Sequence, residues 1–289
     1  MIQPDPCTFV DQQQLARRAL IGVALAEAWR EPRTVHGVLV APSRDQLACL
    51  SEAWSAVAAA CAGCAMGELS LGELTPERAS IEPIITWLGS DPQRRSTALE
   101  ALFGLIISKD CPPYETEFCH WNDPTYRSSQ MADVGGFYRA FGVEPRRDRP
   151  ERQDHISLEI EFIAFLQQKI ALAMEANHEE HIAVCREALT AFVRDHVAWW
   201  MPTFAGCVKR RIMLLRSTPE GAEVADLLDV LDGVTDLLRA WIAIVRLDAD
   251  VPPAREIIAP NVPMWSADEE EACGTCDESI ACSSKPTVE

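Results

Sequence analysis

Positive charge is what this 289-residue chain most conspicuously lacks. It has 26 lysines and arginines against 44 aspartates and glutamates, for a formal net charge of -18. That balance excludes a nucleic-acid partner, whose phosphates demand a basic surface. It fits a solvated acidic surface, and equally a cationic partner steered in by the field. Apolar runs of membrane-spanning length are missing as well. Alternation of apolar and polar residues is confined to Val35 to Val40, which argues against a β architecture. No Gly-x-Ser-x-Gly elbow, P-loop or dinucleotide fingerprint occurs, and no internal repeat.

The 11 cysteines are an odd number in a chain that is neither short nor plainly secreted, which fits reduced cytoplasmic thiols. The stretch "ARRALIGVALAEAW" (Ala16 to Trp29) imitates an export signal. Asp5 and Asp11 precede it, however, and Glu27 ends its apolar run. Leu15, Ala19, Val23 and Ala26 recur on one helical face, so an amphipathic first helix and a cytoplasmic protein are expected.

What the sequence does contain is helix. Ser43 and Gln46 form a capping box ahead of the stripe Leu47, Leu50, Trp54, Val57 and Cys61. Leu99, Leu102, Phe103 and Ile106 mark a buried helix that Cys111-Pro112-Pro113 should stop. Pro145 to Pro150 reads as a polar linker. After it Asp154 is expected to be the N-cap of a helix with two apolar stripes, one through Ile156, Ile160, Ile163, Ile170 and Met174, the other through Leu158, Phe162, Phe165 and Leu172. An arc so wide belongs to a central helix. Two more helical segments follow, the first split by Pro202, the second beginning at Pro219. The expectation is an all-α, single helical domain over residues 1–248, followed by a Pro-rich, acidic tail over 249–289.

Candidate chemistry is sparse. Cys273-x2-Cys276, with Cys282 nearby, has metal-like spacing, and both solvated thiols and a zinc or iron site stay open for it. Cys61 and Cys64 would complete a four-ligand set, but Cys61 continues an apolar stripe. The Glu-x-x-His units Glu117/His120 and Glu175/His178 have the spacing of a di-iron bundle, yet they sit on turn-like and polar ground that favours solvated side chains. His155 and Glu159 share a helix face as an acid/base pair would, without a motif that supplies the rest of an active site.

Four segments appear in fixed order: "SKDCPPYETEF" from Ser108, "MADVGGFYRAFGVE" from Met131, "ERQDHISLEIEFIAFL" from Glu151 and "FVRDHVAWWMPTFA" from Phe192. Together they resemble the TorD/DmsD-type redox-enzyme maturation chaperones, most closely those serving type II enzymes of the dimethyl sulfoxide reductase family. The resemblance covers roughly Ala98 to Ala205 and departs from the family where Arg152-Gln153 replace a frequent proline. It implies an all-helical fold, no catalysis and no required cofactor. The implied partner is the catalytic subunit of a molybdoenzyme, bound through its twin-arginine signal, with export delayed until molybdopterin cofactor is inserted; contact with that cofactor is transient and through the client. A helical metalloprotein, or an assembly scaffold of a respiratory complex using the tail cysteines, is the alternative. A twin-arginine signal offers two positive charges and an apolar segment. An aromatic groove from Tyr114, Phe118, Trp121 and Tyr138, with Phe137 and Phe141 as groove or core, would meet the apolar part. Acids at Glu115, Glu117, Asp133, Glu151 and Asp154, together with His155 and Glu159, would meet the arginines.

Overall fold

A computed structural model of the chain describes residues 11–32, 34–35, 38–39, 43–62, 67–104, 110–119, 124–144, 151–255 and 259–260. His120, Trp121, the 145–150 linker, Cys64, Cys273, Cys276 and Cys282 lie outside the described residues.

The described chain is helical apart from one small hairpin. Asp11 caps α1 (Gln12–Ala28) by accepting the Gln14 N–H at 2.8 Å. The hairpin pairs β1 (Thr34–Val35) antiparallel to β2 (Val38–Leu39), where the one alternating stretch stood. Helix α2 (Arg44–Ala62) opens on the expected capping box: Ser43 N–H donates to Gln46 Oε1 at 2.8 Å, and Gln46 N–H to Ser43 Oγ at 3.3 Å. Helices α3 (Glu82–Gly89) and α4 (Pro92–Phe103) follow. Gly104, at φ 76°, ends α4 before the expected Cys111-Pro112-Pro113 stop. After α5 (Pro124–Ala140) come α6 (Ile156–Glu175) and α7 (Glu179–Phe192). A π-helical turn, Val193–Val197, links α7 to α8 (Met201–Leu215); α9 (Pro219–Glu223) and α10 (Ala225–Asp248) complete the order.

Helix α1 runs antiparallel along α6. Gln12 bonds Glu175 at one end, and Arg30 bonds Ser157 and Glu161 at the other. Gly22 permits the close approach, since a Cβ there would lie 3.1 Å from Ala164 Cβ and 3.2 Å from the Trp241 ring. Helix α6 also packs on α7, and α10 packs on α3 and α8. Burial on α1 is broader than one stripe because α2, α3 and α10 also cover it. Leu15, Ala19 and Ala26 are buried as expected, while Val23 faces outward. Helix α6 is buried over a wide arc, with Leu172 as the outward exception. From Ala240 to Arg246, α10 is buried on all sides. Arg246 is inside this run because Glu73 neutralises it through contacts of 2.8 and 2.9 Å, and the Val251 and Glu68 carbonyls accept its other N–H groups.

Two local expectations give way. The N-cap of α6 is His155, not Asp154: its Nδ1 accepts the Ser157 N–H at 3.2 Å. The break between α7 and α8 falls before Pro202, which occupies the first turn of α8, where its missing N–H costs nothing.

Candidate functional site

Three stretches distant in sequence converge at the start of α6. Pro113 to Glu115 lies beside Asp154 to Ile156, joined by Glu115 N–H to the Asp154 carbonyl and Ile156 N–H to the Pro113 carbonyl, each 2.9 Å. A 3-10 turn, Glu115–Phe118, then delivers its side chains inward. The π-turn supplies the third wall. Its wider ring, closed by Ala198 N–H to the Val193 carbonyl, brings His196, Trp199 and Trp200 to the same place.

The inner half is a buried polar network. Glu115 receives Gln130 Nε2 at 2.9 Å and Trp199 Nε1 at 3.2 Å, and its oxygens lie 3.2 and 3.3 Å from His196 Nδ1. Glu159 receives Trp200 Nε1 at 3.1 Å on one oxygen, and its other oxygen is buried without a hydrogen-bond partner among the described residues. Burial raises both carboxyl groups above the usual range, and the Glu115 and Asp154 charges push Glu159 further. Glu115 has more donors, so the proton of the pair belongs on Glu159. Among the described residues His196 Nε2 finds no hydrogen-bond partner, although the largely exposed Asp133 carboxylate comes within 3.3 Å of it.

The outer half is built around Asp154 and Arg152. The fully buried Asp154 carboxylate accepts Thr116 N–H at 3.2 Å and Thr116 Oγ1–H at 2.7 Å. Arg152 donates to it side-on, through Nε at 3.1 Å and a terminal nitrogen at 2.8 Å. The guanidinium also bonds Glu117 at 3.2 Å and Thr116 Oγ1 at 2.8 Å, and lies 4.1 Å from the Tyr114 ring centroid. Burial opposes the Arg152 charge, but Asp154 and Glu117 outweigh it and raise its pKa. Glu117 is shared with Arg127 at 2.8 Å. The Tyr114 hydroxyl, pushed up to about 12 by burial and then by Glu151, donates to Glu151 at 3.4 Å.

The fold therefore gathers Tyr114, Glu115, Asp133, Glu151, Asp154, His155 and Glu159, but not as an open groove rimmed by acids. Glu115, Glu117, Asp154 and Glu159 are buried and bonded within the chain. Phe118 packs against Trp200, and Tyr138 packs against Phe162 while donating to the Gln153 carbonyl at 3.0 Å. Phe137 and Phe141 pack against the core, the first on Phe192 and His196, the second on Phe162 and Phe165. The His155 imidazole bonds Ser157 and the Glu159 carboxyl bonds Trp200, so neither is poised as half of an acid/base pair. A cavity of about 240 Å³ opens beside the site, lined by Gly135, Tyr138, Arg139, Val143, Glu144 and Gln153. Among the described residues no three His, Cys, Asp or Glu side chains are grouped to hold a metal ion. Sequence reasoning named no role for Thr116, Arg127, Gln130, Arg152, His196, Trp199 or Trp200. All but Arg127 and Gln130 stood inside a quoted motif, which was the available signal.

Residues 79–206, which contain this entire site, match the family model described as nitrate reductase delta subunit. Over that segment the chain is similar to the nitrate reductase delta subunits. It is 33% identical over 81 residues to the chaperone protein TorD of Vibrio cholerae, a stretch covering 27% of this chain and 33% of that protein. The chain thus spans about a third of that relative's length. No solved structure matches it. The described residues form an all-α fold apart from the small hairpin, and the similarity is to a delta-subunit family and to a chaperone. It does not single out the dimethyl sulfoxide reductase branch. Among the described residues no helix is long and apolar enough to cross a membrane.

Proposed function

We propose that the chain is a cytoplasmic chaperone of a molybdoenzyme of the dimethyl sulfoxide reductase family. It binds the twin-arginine signal of the catalytic subunit and delays export until molybdopterin cofactor is in place. The observation that carries this reading is the guanidinium-shaped arrangement of Tyr114, Thr116, Glu117 and Asp154 at the centre of the matched segment. An arginine needs a planar acid to fork onto and an aromatic face to lie over, and both are here. Glu151, Asp133 and the cavity beside Gln153 offer the adjoining surface for the rest of the signal. The chaperone contributes no chemistry to cofactor insertion and meets the cofactor only through its client.

Titration of a twin-arginine signal peptide into the purified chain tests this. Micromolar binding, about -8 kcal/mol, is expected. It should weaken in high salt as the Debye length falls below ~10 Å, without vanishing, because apolar contacts are unscreened. A Lys-Lys version should bind clearly less well. Equal binding of both versions, or no binding of either, would overturn the reading.

A further inference from the structure

The arrangement just described is already full. Arg152 satisfies every element of it at once: the side-on fork to Asp154, the contacts to Glu117 and Thr116, and the face of Tyr114. The groups beneath the guanidinium are buried, with Asp154 at 0% and Thr116 at 1% exposure, whereas the Arg152 side chain is 30% exposed. The occupied position therefore opens to solvent from the Arg152 side. Arg152 belongs to the irregular segment 151–153, outside any helix, so withdrawing its side chain disturbs no helix.

Resting on the twin-arginine reading, we propose that Arg152 is a tethered stand-in for the client's arginine: it closes the position in the free protein and is displaced when an arginine of the client enters. Exchange of one guanidinium for another keeps both buried acids paired throughout. An unpaired Asp154 would be costly, whereas Glu117 keeps Arg127, and a lysine lacks the planar fork to replace what leaves. The device thus sets a threshold. The apparent affinity for the client falls by the fraction of molecules in which Arg152 has swung out. Weak or non-arginine ligands fail to displace it, and the acids are never presented bare to other cations.

The test uses Arg152→Gln and Arg152→Ala, both checked for folding by circular dichroism. Peptide titration should show the twin-arginine signal binding either variant several-fold more tightly than the parent, with no gain for the Lys-Lys peptide. Millimolar ethylguanidinium should raise the melting temperature of the variants but not of the parent, and ethylammonium should raise neither. In the parent, arginine-selective modification by phenylglyoxal followed by peptide mapping should find Arg152 more reactive with the signal bound. This arm needs no variant to fold. If the signal binds the parent but binds the variants no better, or Arg152 becomes no more reactive, the stand-in is refuted while the signal reading stands. If ethylguanidinium stabilises the variants but the signal binds neither parent nor variants, the signal reading fails. The position then remains an exchangeable guanidinium site, for an arginine-bearing partner of another kind. Absence of any ethylguanidinium effect on folded variants overturns the site itself.

Discussion

Replacing Glu159 by glutamine probes the inner network most directly. Glu159 is fully buried, and burial first, then the Glu115 and Asp154 charges, raise it above the ordinary 4.5. The folded protein therefore holds a proton that the unfolded chain releases above about pH 4.5. A group raised in this way stabilises the fold at acid pH, and the contribution is lost as pH climbs towards the folded value. The slope is at most about 1.4 kcal/mol per pH unit for one proton. Glutamine imitates the neutral carboxyl, and its oxygen still accepts from Trp200 Nε1. The variant should resemble the parent near pH 4.5 and gain on it as pH rises from there towards 7. The gap in melting temperature should widen with it over the same range. Scanning calorimetry across that window measures it. Infrared spectroscopy just above pH 4.5 should also show a protonated-carboxyl stretch in the parent that the variant lacks. A stability gap independent of pH, or one that closes as pH rises, would refute the assignment of the proton.

Two further outcomes follow from named contacts. Asp154→Asn should cost about 1.5–3 kcal/mol, the worth of hydrogen bonds to a charged group, because the carboxylate serves Arg152 and Thr116. A capping aspartate would lose only a few tenths on the same change, so urea denaturation separates the two roles. Glu73→Ala should cost about 3–5 kcal/mol by stranding Arg246 in the core, whereas Glu73→Leu combined with Arg246→Met should recover much of the loss in the same assay.

Much of the fold was legible in the sequence because helices are written locally. The Ser43/Gln46 capping box, the stripe through Leu50, Trp54, Val57 and Cys61, and the wide apolar arc of α6 all rest on residues within a few turns of one another. The four ordered motifs likewise pointed to the region where the site lies.

The roles of individual site residues were not written locally. Asp154 has the chemistry of a helix cap and stands next to a helix, but Thr116 and Arg152 claim its carboxylate, which leaves His155 to cap α6. Glu115 and His196 are 81 residues apart, and Glu159 and Trp200 are 41 apart. Only the packing of the 3-10 turn and the π-turn against the start of α6 brings them together. Sequence also marked Glu115, Glu117 and Asp154 as rim acids, since an acid in a polar stretch is ordinarily solvated. Burial reversed that by giving each an internal partner. A carboxylate's surroundings determine whether it binds a guest, holds a proton or pairs with an arginine of its own chain, and in this protein those surroundings come from segments far apart in sequence.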